Sequence, residues 1–331
     1  MKILITGPDG VLGSNLVREL LNREYKISVL ILDGTLAPTL HHLPIDRYYG
    51  NILKPDDLDL CMRDQDCVIH CAACTRVYPA RDELINLVNI EGSRNIAEAC
   101  LKHGIKRLIY IGTANSFGYG STLEDLGKEG NPYTSVKYGL DYMDSKRKAM
   151  ELILEYVNKK NLPAIIVNPT FMIGPYDSKP SSGQMILALY NGKVPGYTNG
   201  GKNYIAVKDA VVATANAVKE GKIGECYILG NENLTYREAF ERFAKVIEVN
   251  PPKIRLSNGT IKIFGVLNSF LARWLKFKPA ITKELAAISC DRHYYSAEKA
   301  INELGLPQTP IEVAVKECFE WFRDNNYLIK K

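Results

Sequence analysis

The stretch Met1–Gly13, MKILITGPDGVLG, constrains the fold more than any other. Lys2-Ile3-Leu4-Ile5 is a short apolar run suited to a buried strand, and Thr6-Gly7 breaks it. Gly10 and Gly13 then lead into Leu16, Val17, Leu20 and Leu21 at helical spacing. Strand, glycine turn and helix N-terminus, in that order, point backbone N–H groups at a pyrophosphate. In such a turn Gly7 allows the tight bend, Gly10 close approach to phosphate, and Gly13 close packing of helix on strand. Glycine turns also join ordinary strands to ordinary helices, so the signal lies in the flanking elements as much as in the glycines.

Further apolar runs follow. Ile27–Leu32 reads as a second strand, Tyr48-Tyr49-Gly50 as the end of a third, and Cys67–Cys71 as a fourth ending in Ala72-Ala73. A long helix is predicted through Asn89, Ile96 and Cys100. Arg107–Ile111 and Ala164–Val167 are the fifth and sixth strands, separated by a helix over Tyr142–Val157. Near-continuous apolar strands alternating with helices predict an α/β fold, a doubly wound parallel sheet covered on both faces. After Pro169 the punctuation changes. Cys226–Leu229 is one more strand, but helices dominate over Met185–Asn191, Asp209–Lys219, Tyr236–Glu248, Ile261–Leu275, Lys283–Ser289, Ala297–Leu304 and Ile311–Asn325. The expected organisation is a dinucleotide-binding domain over 1–175, to which 205–231 returns. A smaller, mainly helical substrate domain takes 176–204 and 232–331, packed over the carboxyl edge of the sheet.

Composition excludes several classes. The 331 residues carry 42 Lys and Arg against 37 Asp and Glu, scattered without a basic stripe interleaved with aromatics, so nucleic acid is not an expected partner. The eight cysteines sit mostly in apolar segments and form no disulfide framework, and Cys71-x-x-Cys74 lacks the second pair that zinc would need. No metal is expected. The most apolar late segment, Ile261–Leu275, is too short and too interrupted by Lys262, Asn268 and Arg273 to span a bilayer, so no membrane insertion is expected. Nothing ahead of the first strand reads as a secretory segment, and a reducing cytoplasm fits best.

Tyr142 and Lys146 are four apart on a predicted helix and share a face. A phenol is a poor acid or base at neutral pH, and an ammonium one turn away favours its ionised form. Thr113, at the end of the fifth strand, is placed to hold a substrate oxygen. Together the three suit hydride transfer at a carbon bearing oxygen, with tyrosine moving the proton. The same spacing recurs at Tyr133/Lys137 and Tyr156/Lys160, but Pro132 and Gly139 flank the first and Asn161 and Pro163 end the helix at the second. The chemistry is therefore expected at Tyr142 and Lys146.

Thr6-Gly7-x-x-Gly10-x-x-Gly13, His70-Cys71-Ala72-Ala73, Asn89-x-x-Gly92, Thr113, Tyr142-x-x-x-Lys146 and Asn168-Pro169 occur in that order. The series resembles the extended short-chain dehydrogenase/reductase superfamily, the NAD-dependent epimerase/dehydratase group, over nearly the whole chain. Asn168-Pro169-Thr170, Ile173-Gly174-Pro175, Lys179-Pro180, Gly224-Glu225-x-Tyr227-Ile228-Leu229-Gly230 and Glu232-Asn233-Leu234-Thr235 make it most similar to the dihydroflavonol-reductase-like branch, which includes hopanoid-associated sugar epimerase-like proteins. The resemblance implies a Rossmann-type sheet and an oxidoreductase. It also implies that Val11 and Leu12 join Gly7, Gly10 and Gly13 at the cofactor, with Asn51 and Ile52 at the adenine. Ala72, Ala73 and Thr75 would line the cofactor, Asn89 would steady the neighbouring strand end, and Ile111, Pro169 and Thr170 would flank the nicotinamide.

Asp33 lies twenty residues after Gly13, where an acid accepts from a ribose 2′-hydroxyl and repels a 2′-phosphate, and no Lys or Arg lies between Ile27 and Leu40. NAD is therefore expected over NADP, although alignment with the family puts Ile31 at the usual acidic position. Relatives that dehydrate sugar nucleotides carry an Asp-Glu pair after the hydroxyl; here Ala114-Asn115 follow Thr113, which disfavours dehydration. An oxidoreductase of a secondary alcohol or ketone is the first expectation and a nucleotide-sugar epimerase with tightly held NAD the second. The substrate pocket is expected from Met172, Tyr176, Lys179, Gln184, Tyr204 and the helix near Trp274. A homodimer is implied by resemblance alone.

Overall fold

The computed structural model describes residues 1–275, 277, 279 and 281–328; the expected second domain therefore runs past them at its end. Strands and helices alternate through the first half: β1 (Lys2–Thr6), α1 (Val11–Asn22), β2 (Lys26–Ile31), β3 (Asp46–Tyr49), α2 (Pro55–Met62), β4 (Cys67–His70), α3 (Glu83–Asn86), α4 (Gly92–Lys102), β5 (Arg107–Ile111), α5 (Asp141–Lys160) and β6 (Ala164–Pro169). The chain continues through β7 (Phe171–Ile173), α6 (Gln184–Tyr190), β8 (Gly201–Ala206), α7 (Val207–Glu220), β9 (Cys226–Leu229), β10 (Glu232–Thr235) and α8 (Tyr236–Val246). It ends with α9 (Asn258–Leu275), α10 (Lys283–Ile288), β11 (Arg292–His293), α11 (Glu298–Leu304) and α12 (Ile311–Asp324).

The main sheet is parallel, in the order β3-β2-β1-β4-β5-β6-β9. Alternation along each strand divides its side chains between two faces. Ile3, Ile5, Val29, Ile31, Ile69, Ile109 and Val167 pack under α1, α7 and α11. Leu4, Leu30, Val68, Leu108, Tyr110 and Ile166 pack under α2, α4 and α5. Both faces are dry, which is why these strands read as unbroken apolar runs. The strand order reverses between β1 and β4, and the carboxyl ends of that pair open the crevice in which sheets of this kind bind ligands.

Two features depart from the sequence reading. The long helix expected through Asn89 is interrupted by a π-turn over Leu87–Glu91. The second half also holds a small sheet, β10-β8-β11 with β7 on β8, that apolar patterning did not reveal. Its strands are two to six residues long, too short for periodicity to register. Gly200-Gly201 reads as loop punctuation, yet Gly201 is a strand residue paired with Thr235, and glycine is required there because a Cβ would lie 2.5 Å from the Leu234 carbonyl oxygen. Tyr204 of β8, Phe243 of α8 and Phe322 of α12 centre the core of this half.

Candidate active site

The glycine turn at the end of β1 has three positions with three different reasons for glycine. Gly7 has a φ of +65°, and a Cβ there would lie 2.6 Å from the Ala72 nitrogen. A Cβ on Gly13 would lie 2.3 Å from the Gly7 carbonyl oxygen, so helix and turn could not close together. Gly10 is exposed, and its nearest neighbour would stand 3.6 Å from an added Cβ. The protein's own packing does not require glycine there; a ligand pressed against the backbone would. Gly10 caps α1 without a side-chain hydrogen bond, and the first turn of α1 carries no acid. The Ser14 N–H is bonded back to the Gly10 carbonyl at 2.8 Å, and those of Val11, Leu12 and Gly13 precede it toward the open end. The residues present thus fit a pyrophosphate. Lys179 reaches this rim and pairs with Asp9 at 2.6 Å.

Across the crevice, Ala72 and Ala73 continue from β4, with the Ala72 N–H donating to the Thr6 hydroxyl at 3.3 Å. Asn89, buried in the π-turn, accepts from the Cys74 N–H at 2.7 Å and donates to the Cys74 carbonyl at 3.0 Å and the Ser145 hydroxyl at 2.9 Å. It therefore ties the segment after β4 to α5. Asn89→Ala should lower the unfolding free energy by about 2–3 kcal/mol, because buried polar partners lose their bonds, and a urea titration checks this. Asn51 closes a local turn, its side-chain oxygen accepting from the Leu53 N–H at 2.9 Å. Ile52 is buried against Gly92, where a Cβ would lie 2.5 Å from its side chain. Thr75, Leu32 and Asp33 are exposed.

Thr113 is buried just beyond β5 and accepts from the Asn115 N–H at 3.3 Å. Tyr142 and Lys146 lie in the first two turns of α5, whose start is anchored by Asp141. That carboxylate accepts from the Arg81 guanidinium at 2.5 Å and the Asp82 N–H at 2.8 Å. The Lys146 ammonium is buried and donates to the Ile111 carbonyl at 2.7 Å and the Tyr110 hydroxyl at 3.1 Å. An ammonium has three donors, so one remains. Burial pushes the Tyr142 phenol above its ordinary pKa, and the facing Thr113 hydroxyl pulls it part of the way back. The lowering expected from Lys146 is not met in this arrangement: burial outweighs it, and the ammonium is engaged by Ile111 and Tyr110.

The structure also separates Tyr142/Lys146 from the pairs Tyr133/Lys137 and Tyr156/Lys160. Tyr133 donates to Asp144 at 2.7 Å, and Lys137 pairs with Asp291 at 2.8 Å. Tyr156 donates to Glu98 at 2.8 Å, while Lys160 lies 4.1 Å over its ring. Both pairs are occupied structurally. Of these three pairs, only Tyr142 and Lys146 adjoin the carboxyl end of β5.

The expected substrate residues do not converge. Tyr204 is wholly buried, edge-on to Phe171 and Phe243, and is a core residue because the unforeseen small sheet encloses it. Tyr176 lies under the Arg18 guanidinium at 3.7 Å and beside Trp321, lining a cavity of about 310 Å³. Gln184 is exposed at the start of α6, and Met172 packs on the sheet core. Trp274 is 74% exposed. Pro169 ends β6, and the Thr170 hydroxyl is engaged with the Asn203 side-chain oxygen at 2.8 Å.

Two groups near the site have surroundings that the sequence does not disclose. Asn168 is buried with neither side-chain polar atom partnered. A Cβ on the adjacent Gly112 would strike it. Tyr138 donates to Asp291 at 2.6 Å, Tyr119 bonds Tyr138 at 2.6 Å, and the Tyr119 ring stacks on His293 at 4.0 Å. This cluster joins the segment after β5 to β11, and no local spacing could reveal it.

A family model described as the NAD dependent epimerase/dehydratase family matches residues 3–230. A dihydroflavonol 4-reductase-like protein of Synechocystis sp. is 30% identical over 333 residues, covering 98% of this chain and 95% of the relative. Among solved structures, that of gox2253 is similar with a TM-score of 0.86 at 31% identity, covering 99% of each chain. The UDP-glucose 4-epimerase of Thermus thermophilus in complex with NAD has a TM-score of 0.77 at 20% identity, covering 98% of this chain and 99% of that one, a likeness of fold.

Proposed function

Since the chain belongs to the NAD dependent epimerase/dehydratase family and is an extended short-chain dehydrogenase/reductase using a nicotinamide dinucleotide, we propose that it reduces a ketone, or oxidises the matching secondary alcohol, with Tyr142 as proton donor and acceptor. The observation that carries this reading is the half-buried Tyr142 phenol, facing Thr113 and raised in pKa by desolvation, one turn from a buried Lys146. A phenol held protonated at neutral pH is a proton donor, which suits the reductive direction.

The glycine turn would seat the pyrophosphate, Ala72, Ala73 and Thr75 would border the cofactor from β4, and Ile111, Pro169 and Thr170 would flank the nicotinamide. Asn51 and Ile52 would border the adenine, and Asn89 would hold the β4 end in place. A bound reduced nicotinamide supplies hydride to the carbonyl carbon. Thr113 would orient the carbonyl oxygen, and Tyr142 would deliver its proton to that oxygen, leaving a phenolate. The third donor of Lys146 would stabilise that phenolate or hold a ribose hydroxyl. Alcohol oxidation runs the same steps backwards.

NAD is the proposed cofactor, since Asp33 stands exposed beyond β2 with no nearby cation in sequence to receive a 2′-phosphate. NADH should bind more tightly than NADPH in a fluorescence titration, and the reverse order would overturn this choice. The proposed working form is a cytoplasmic homodimer, to be checked by light scattering. The reaction is tested by a ketone and sugar-nucleotide screen on the purified protein. Net NADH consumption supports the reductase. Nucleotide released only on denaturation, with epimerisation and no net redox change, would reassign the site to an epimerase.

A further inference from the structure

Helix α9 rests on α10 through a narrow seam. Ile261 and Ala272 are buried, and a Cβ on Gly265 would lie 2.6 Å from the Ala286 side chain. At 100° per residue, Phe264, Leu267, Phe270, Leu271, Trp274 and Leu275 fall within an arc of about 140° away from that seam. These six are 48–74% exposed. Surface apolar residues normally occur singly; a continuous face of this size marks an interaction site.

Charge identifies what covers it. Between Val249 and Lys283 the sequence holds seven Lys or Arg and no Asp or Glu. The chain as a whole has a formal charge of +5, so without this stretch the remainder is slightly acidic. A helix with Trp, Phe and Leu on one side, in a stretch of sequence whose charges are all basic, suits the plane of a membrane interface, with apolar side chains among the acyl chains and cations on anionic headgroups. A protein partner or a second copy would meet the same apolar face, but neither accounts for the one-sided charge. Among the described residues no helix is long and apolar enough to cross a membrane, so the attachment is peripheral.

We propose that α9 docks the protein onto the surface of an anionic lipid bilayer. Leu285, Ala287 and Ile288 of the helix beneath it share a cluster with Tyr142 and Met143, so the docked side adjoins the candidate active site. The docking itself does not depend on the reaction assigned there.

The test is flotation of the full chain with phosphatidylcholine vesicles containing about a quarter phosphatidylglycerol, beside vesicles of phosphatidylcholine alone. The protein should float with the anionic vesicles and bind the neutral ones about tenfold less well, a difference that high salt removes. Phe270→Ser with Trp274→Ser, both exposed, should keep the wild-type melting temperature and lose about a hundredfold in partition. Lys262→Glu should weaken binding to anionic vesicles alone. In Trp321→Phe protein, brominated lipid should quench the remaining Trp274. Wild-type protein left in the aqueous fraction with both vesicles would overturn the proposal. So would unchanged binding of the double variant, or a dimer in light scattering that this variant dissociates, which would give the face to a second copy.

Discussion

Tyr142→Phe is expected to lower kcat by roughly 10²–10⁴-fold, the usual worth of a positioned proton donor, while dinucleotide affinity and melting temperature stay at wild-type values. Only the hydroxyl is lost. The ring continues to pack with Met143, Leu140 and Ile288, so the fold has no reason to respond. Steady-state kinetics beside a nucleotide titration separates the two readouts. Unchanged turnover would remove Tyr142 from the chemistry; lost affinity would make it a binding residue.

The wild-type pH profile should agree. Burial raises the phenol pKa, so the donor form is populated throughout the neutral range. Ketone reduction should therefore hold level there and fall only on the alkaline side, as the phenol loses its proton. Tyr142→Phe should abolish that limb. A profile falling through neutral pH would mean that another group controls the rate.

The second large effect is a contrast between glycines a few residues apart. Gly7→Ala puts a Cβ on a left-handed backbone 2.6 Å from the Ala72 nitrogen, and should cost roughly 2–4 kcal/mol of stability from strain and overpacking together. Gly13→Ala should be comparably destabilising, since its Cβ would lie 2.3 Å from a backbone oxygen. Gly10→Ala meets nothing nearer than 3.6 Å at a φ of −77°. Its melting temperature should stay within about a degree, yet dinucleotide affinity should fall at least tenfold, about 1.4 kcal/mol. Calorimetry beside a nucleotide titration decides the matter. Gly10→Ala with full affinity would mean that the pyrophosphate does not approach this backbone.

The doubly wound sheet, its glycine turn and the pairing of Tyr142 with Lys146 were legible because each is a local pattern. Apolar strands buried on both faces, and residues one helical turn apart, leave their mark in consecutive positions. Legibility failed where contact depends on distant segments. The small sheet pairs β8 with β7, β10 and β11, strands too short to carry a period, and it converts Tyr204 from an expected pocket residue into a core one. Tyr176 and Lys179 likewise turn toward Arg18 and Asp9 of the first helix and its turn.

The pairs Tyr133/Lys137, Tyr142/Lys146 and Tyr156/Lys160 mark the boundary most clearly. Local sequence places the phenol of Tyr142 and the ammonium of Lys146 on one helix face, because helical geometry depends only on neighbours along the chain. Tertiary contacts determine which hydroxyls are occupied by Asp144 and Glu98 and which faces Thr113. They also determine that Lys146 holds the carbonyl of Ile111 while burial sets the acidity of Tyr142. Desolvation and hydrogen bonding are properties of what surrounds a group in space, and those surroundings exist only once remote segments have packed.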